Sequence, residues 1–327
     1  PISYFTTYPP PLPPPSPPPP PHSFPTRRSS DLIPPYLTQG ATVALISTAR
    51  KIDVNDIDIA KNVLELRGYN VHIGKHLLAE YNQFCGTDAQ RAEDLQNAIN
   101  NPPVDAVLCF RGGYGSVRIL DLVAFTPLIT KPKWIGGYSD VTAIHNVLNG
   151  LSVASLHGTM PVNFANNTTE ALNSLFDALE GNALSYAFVN HELNRIGSAS
   201  GKLIGGNLSM LYILCGTKYD LDTSGCIIFI EDLDEYLYHV DRMMQNFKLG
   251  GKLNNLKGLI VGGMTDMNDN DTPFGKSCEQ IIQEAVSLFD YPVCFGFPAG
   301  HINDNRSLKF GVNATLNVEK DQVHFFQ

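Results

Sequence analysis

From Ile33 onward the sequence alternates between short apolar, β-rich runs and segments with helical apolar spacing, and this alternation narrows the possible folds more than any other feature. Thr42 to Thr48 reads as a strand. Asp56 to Arg67 follows as a helix with Ile59, Val63 and Leu66 on one face, ending before Gly68, a C-terminal cap. Val71 to Ile73 is the next strand, and Thr87 with Gln90 three residues on forms a capping box that opens a helix to about Asn100. Val104 to Phe110 is a third strand, followed by a turn with glycines at Gly112, Gly113 and Gly115 and a helix near Val117 to Val123. A strand at Lys133 to Gly136 then runs into a helix from about Val141 to Leu148. Strand and helix in strict alternation predict an α/β fold with a doubly wound parallel sheet.

At 327 residues the chain is long enough for two domains with their own cores. Residues 1–32 are a Pro-rich tail that cannot pack a core and is expected to be non-native or disordered; Ser23 to Leu32 resembles translated sequencing-adapter read-through. Residues 33–165 form the expected first domain and 166–200 a polar connection with a short helix-like segment. Beyond it, Gly201 to Gly206, Cys226 to Ile230, Leu256 to Val261, Val293 to Phe295 and Ala314 to Val318 read as short strands with fewer helices between them. Residues 201–327 are therefore expected to be a smaller, β-rich domain.

A net charge of -9 and the lack of a basic cluster after the tail argue against nucleic acid and anionic membranes as partners. No apolar run reaches the roughly 18 residues that span a bilayer. The six cysteines lack C-x-x-C spacing and lie in apolar surroundings, which suits reduced thiols and a cytoplasmic location.

The sharpest chemical signal is Trp134-Ile135-Gly136-Gly137-Tyr138-Ser139-Asp140-Val141-Thr142: a strand ending in two glycines, a serine, then a helix. This has the shape of a nucleophile elbow, which projects a serine hydroxyl above the strand end beside the amides of a helix N-terminus. A plain helix cap at Ser139 or Asp140 is the competing reading. A serine nucleophile needs a base and an orienting acid in strand-end loops. His301, in Ala299-Gly300-His301-Ile302-Asn303 after an apolar strand, is the best base; His157 is weaker, and His145 and His239 lie in helical stretches. Glu231 is the first charged residue after Ile227-Ile228-Phe229-Ile230, although the acidic run there also suits a solvated helix start. Arg111-Gly112-Gly113-Tyr114-Gly115-Ser116 offers unobstructed amides for an oxyanion hole and a rival nucleophile in Ser116. Its spacing fits neither a dinucleotide fingerprint nor a P-loop.

Taken in order, Cys85-Gly86-Thr87-Asp88 with Arg91, the R-G-G-Y-G loop, the G-Y-S-D elbow, His157-Gly158-Thr159-Met160, Gly205-Gly206-Asn207-Leu208, the acidic run ending in Asp241-Arg242, and Gly300-His301 resemble the LD-carboxypeptidase family of serine peptidases. The resemblance covers nearly everything after the tail. It implies Ser139 as nucleophile, His301 as general base and Glu231 as orienting carboxylate, with an oxyanion hole from Gly112, Gly113 and the Asp140 amide. It implies a flavodoxin-like first domain, a β-rich second domain, an active site between them, no cofactor or metal, and a homodimer. The implied substrate is murein tetrapeptide, cleaved before its terminal D-alanine in cell-wall recycling. Arg111, Tyr114 and Asn207 are expected at the substrate, and the cation for the substrate carboxylate stays open among Arg111, Arg118, Arg242 and Arg306. A microcin-immunity-like peptidase acting on peptidyl-nucleotides shares the same triad. A non-catalytic ligand-binding protein and a nucleotide-binding oxidoreductase are the remaining alternatives.

Overall fold

The computed structural model describes residues 32–327, so the Pro-rich tail lies outside the described residues except for Leu32, which bridges to Val153. The first sheet contains the parallel strands β1 (Thr42–Ile46), β2 (Asn70–Ile73), β3 (Ala106–Cys109), β4 (Trp134–Gly136) and β5 (Ser155–His157). Their spatial order, β2-β1-β3-β4-β5, is that of flavodoxin-like folds. Helices α1 (Val54–Leu66), α2 (Asp88–Asn100), α3 (Pro127–Thr130), α4 (Thr142–Gly150) and α5 (Thr169–Glu180) accompany it. The capping box read at Thr87 and Gln90 opens α2 as expected. On α1 the buried face is Ile57, Ala60 and Leu64, while Ile59 and Leu66 are exposed, so the helix is turned from the expected face. Both triplets satisfy the 3.6-residue period; Ala60 loses out as a sequence signal because it is small.

The second sheet runs β10-β9-β8-β7-β12-β13-β6. Its strands are β6 (Ser185–Val189), β7 (Gly197–Asn207), β8 (Ile227–Leu233), β9 (Gly258–Thr265), β10 (Val293–Cys294), β12 (Asn313–Val318) and β13 (Gln322–Phe326). The β7-β8-β9-β10 half is parallel and carries α6 (Leu208–Leu214), α7 (Leu237–Leu249) and α8 (Cys278–Ala285); the half from β7 to β6 is antiparallel. The region is β-rich, and its parallel half has more helices than the strand-dense texture suggested.

Two features cross the expected boundaries. Segment 166–200 is not a bare connection: it holds α5, β6 and the start of β7, because the apolar side chains Leu175, Phe176 and Leu179 have a core to fill. Strand β11 (Leu308–Phe310), far along the chain, pairs antiparallel with β5 and closes the first sheet. One apolar cluster runs through both sheets, joining Val43, Leu45 and Trp134 to Phe229, Leu316 and Phe325. A shared core of this kind fixes the carboxyl ends of β1, β3 and β4 opposite those of β7 and β8. No helix among the described residues is long and apolar enough to cross a membrane.

Candidate active site

Strand β4 ends at Gly136, and the chain must reverse sharply to enter α4. Gly137 takes φ +153°, and Ser139 takes φ +62°, a left-handed conformation unusual for a residue with a side chain. A methyl group at Gly137 would lie 2.9 Å from Val141, so the turn leaves no room for one. Neither Ser139 nor Asp140 caps the helix that follows, which removes the capping reading. The buried His145 on α4 bonds the Gly137 carbonyl at 2.9 Å and so secures the elbow from behind; burial pushes its imidazole down to about 4, leaving it neutral.

Three side chains remote in sequence meet above this turn. Ser139 Oγ lies 3.0 Å from His301 Nε2, and His301 Nδ1 lies 2.5 Å from Glu231 Oε2. With Nδ1–H donating to Glu231, Nε2 is the free acceptor for the serine hydroxyl. Glu231 stands near the end of β8, is 0% exposed, and is packed by Gly300, where an added methyl would come 2.8 Å from its Cβ. The ring of Tyr138 lies edge-on to His301 with centroids 4.9 Å apart, and its hydroxyl donates to Asn163. Burial draws the His301 imidazolium down, but the adjacent Glu231 carboxylate, by charge and hydrogen bond, and Asp232 behind it raise the balance above the ordinary 6.5.

Behind the serine, the 111–116 loop is held by Asp140. Its carboxylate, 1% exposed, accepts the Gly115 and Ser116 amides at 3.2 and 2.7 Å. This clamp brings Gly112 so close that a methyl there would sit 3.0 Å from Ser139 Cβ and 3.2 Å from its Oγ. Gly112 therefore backs directly onto the serine.

A cavity of about 540 Å³ opens over Ser139 and His301. Arg50, Arg111, Gly112 and Gly113 line it together with Asn207, Asp232, Asp234 and Glu235. Asn207 caps α6 through Met210 N and gives its amide to Asp232, so it builds the wall with most of its hydrogen-bonding capacity spent. Asp232 also accepts from Ser209 N, and burial, then the Glu231 charge, pushes its carboxyl up to about 7.

Several expected residues lie elsewhere. Tyr114 does not line the cavity: it is 42% exposed, and its ring packs toward Phe84 because the extra Gly115 carries the loop away. Ser116 is fully buried and bonds Thr48 Oγ1 at 2.6 Å, which removes it from any substrate. His157 is sealed among Tyr138, Phe229 and Phe310 and held neutral by burial; His239 pairs with Glu235 on α7. Arg118 is tied to Asp88 and Arg306 to Asp304, Arg242 sits over Tyr238, and Arg111 donates to the Lys51 carbonyl; of these four arginines, Arg111 alone lines the cavity. The sequence reading missed Arg50, four residues past β1, although strand-end position was the available signal.

Models of the LD-carboxypeptidase N-terminal and C-terminal domains match residues 43–158 and 200–316. The probable murein peptide carboxypeptidase of Bacillus subtilis is 32% identical over 300 residues, covering 89% of this chain and 93% of that protein. The murein tetrapeptide carboxypeptidase of Pseudomonas aeruginosa is 29% identical over 289 residues, 84% of this chain and 92% of its own length. The crystal structure of muramoyltetrapeptide carboxypeptidase from Oxalobacter formigenes superposes with a TM-score of 0.80 at 28% identity, covering 87% of this chain and 98% of that one. Matched in both halves and related along most of its length, the chain belongs to the LD-carboxypeptidase family.

Proposed function

We propose that this protein is a serine-type LD-carboxypeptidase that releases the terminal D-alanine of murein tetrapeptide through an acyl-enzyme, as a step of peptidoglycan recycling. The observation that carries the reading is the continuous Ser139–His301–Glu231 hydrogen-bonded chain on a left-handed elbow at the mouth of the cavity.

In this reading His301 Nε2 takes the hydroxyl proton as Ser139 Oγ attacks the amide carbonyl. The imidazolium formed is stabilised by Glu231, which is already positioned and desolvated. The carbonyl oxygen becomes an oxyanion facing the amides of the Gly112–Gly113 segment and of Asp140, whose side chain holds that segment in place. His301 then passes its proton to the departing D-alanine nitrogen, breaking the C–N bond. Water, deprotonated by the same imidazole, hydrolyses the ester and restores Ser139.

The test is D-alanine release from purified murein tetrapeptide. Release at enzymic rates supports the reading. Hydrolysis confined to peptidyl-nucleotides, with tetrapeptide untouched, would replace the substrate while keeping the triad.

A further inference from the structure

We propose that Arg50 is the specificity-determining residue that receives the substrate's terminal carboxylate, and so makes the site an exopeptidase site; the inference rests on the carboxypeptidase reading above. Other described arginines are already engaged. Arg67 pairs with Glu180, Arg91 and Arg118 with Asp88, and Arg306 with Asp304. Arg195 donates to carbonyls of 286, 289 and 291, Arg242 stacks on Tyr238, and Arg111 donates to the Lys51 carbonyl. Arg50 is the one arginine whose guanidinium has no ion pair, hydrogen bond or ring contact among the described residues, and it lines the cavity.

Its backbone, by contrast, is fixed. The Arg50 amide donates to the Gly112 carbonyl, its carbonyl accepts from Ser47 Oγ, and it bridges to Phe84. Arg111, by holding the Lys51 carbonyl, secures the same segment and acts as a positioning residue. A cation on an immobilised backbone needs no rearrangement of the chain to meet an anion and gives up only its side-chain freedom on binding one. Guanidinium also matches a carboxylate with two parallel hydrogen bonds.

The placement puts Arg50 beside the serine's own loop. The Arg50 side chain crosses Gly113 so closely that a methyl there would lie 2.5 Å from its Cδ, while the next residue back, Gly112, touches Ser139. Arg50 and Ser139 thus approach consecutive residues of one loop. Asp234 and Glu235 line the same cavity and disfavour a carboxylate beside them, which leaves the Arg50 end as the favourable one. A longer leaving peptide would have to place uncharged backbone at the unpaired guanidinium.

The experiment compares kcat/KM for tetrapeptide ending in free D-alanine with the same peptide ending in D-alaninamide, in wild type, Arg50→Ala and Arg50→Lys. Wild type should favour the free acid strongly. In Arg50→Ala, kcat/KM for the acid should fall about 10- to 100-fold, chiefly through KM, with the amide little changed, so that the preference collapses. Arg50→Lys should recover part of it, and carries the test if the alanine variant does not fold. An unchanged acid-to-amide ratio in both variants, or an equal loss on both substrates, overturns the proposal while leaving the carboxypeptidase reading intact. Wild type that cleaves neither peptide overturns both.

Discussion

Two loops of this molecule begin with the same three residues and end in different roles. Gly112-Gly113-Tyr114-Gly115-Ser116 follows β3, and Gly136-Gly137-Tyr138-Ser139-Asp140 ends β4 and follows it. In the second the serine comes directly after the tyrosine, stands at φ +62°, and meets His301. In the first an extra glycine, at φ +150°, delays the serine by one residue, and it enters a 3-10 helix fully buried against Thr48. Asp140 then ties the first loop to the second. The motif alone does not make a nucleophile; one glycine of register decides which hydroxyl faces the cavity and which supports the loop behind it.

The hardest test of that contrast is Ser139→Ala. Turnover of tetrapeptide should drop on the order of 10⁴-fold or more, since the base is left with nothing to activate. Ser139→Gly should be equally inactive yet melt higher than Ser139→Ala, because glycine adopts a positive φ without strain. Retained activity in either variant would move the nucleophile elsewhere.

Glu231→Gln asks which serine His301 serves. Its expected cost is about 10³- to 10⁴-fold in kcat, because the imidazolium loses its partner. The base works only when neutral, and its pKa is raised, so wild-type kcat/KM should fall as pH drops through a value above 6.5. Without the Glu231 charge, burial dominates and the acid limb of the residual activity should move to lower pH. A limb that stays in place would assign it to another group.

Asp140→Ala attacks the tie between the loops. The Asp140 amide remains, but the buried Gly115 and Ser116 amides lose their acceptor, at a cost of about 2–3 kcal/mol in stability. With Gly112 no longer pressed against Ser139, kcat should fall by roughly 10²-fold. Chemical denaturation and turnover measured on the same preparation separate the two effects, and a stability loss with unchanged kcat would deny the loop its catalytic support role.

The sequence pointed to these loops because the candidate residues stand at the ends of apolar strands or, for His301, in the loop after one, where a doubly wound fold gathers side chains. Ser139, Glu231 and His301 all carry that local signature. Arg50 carries a weaker one: Ser47-Thr48-Ala49 separates it from β1 without any glycine to announce a special turn. The face of α1 was illegible for a different reason, since Ile57 and Ile59 lie on nearly opposite faces and only the core decides between them. Strand β11 could not be read at all, because Leu308-Lys309-Phe310 is too short for a pattern and its partner β5 is distant in the chain. Tyr114, expected at the substrate, lies off the cavity against Phe84, a placement that no local sequence signal marks.

Ser116→Ala is the smallest expected effect and the most discriminating, because it removes a hydroxyl from the loop that most resembles the elbow. The lost hydrogen bond leaves Thr48 Oγ1 buried without its partner, which should cost about 1–2 kcal/mol of stability. The Ser116 amide still reaches Asp140, so the clamp and the position of Gly112 persist, and D-alanine release should stay close to wild type. A melting shift without a kinetic one is the signature of a supporting serine. A kinetic loss comparable to that of Ser139→Ala would mean that the two loops share the chemistry, and that the single glycine separating their registers matters less than the buried contacts require.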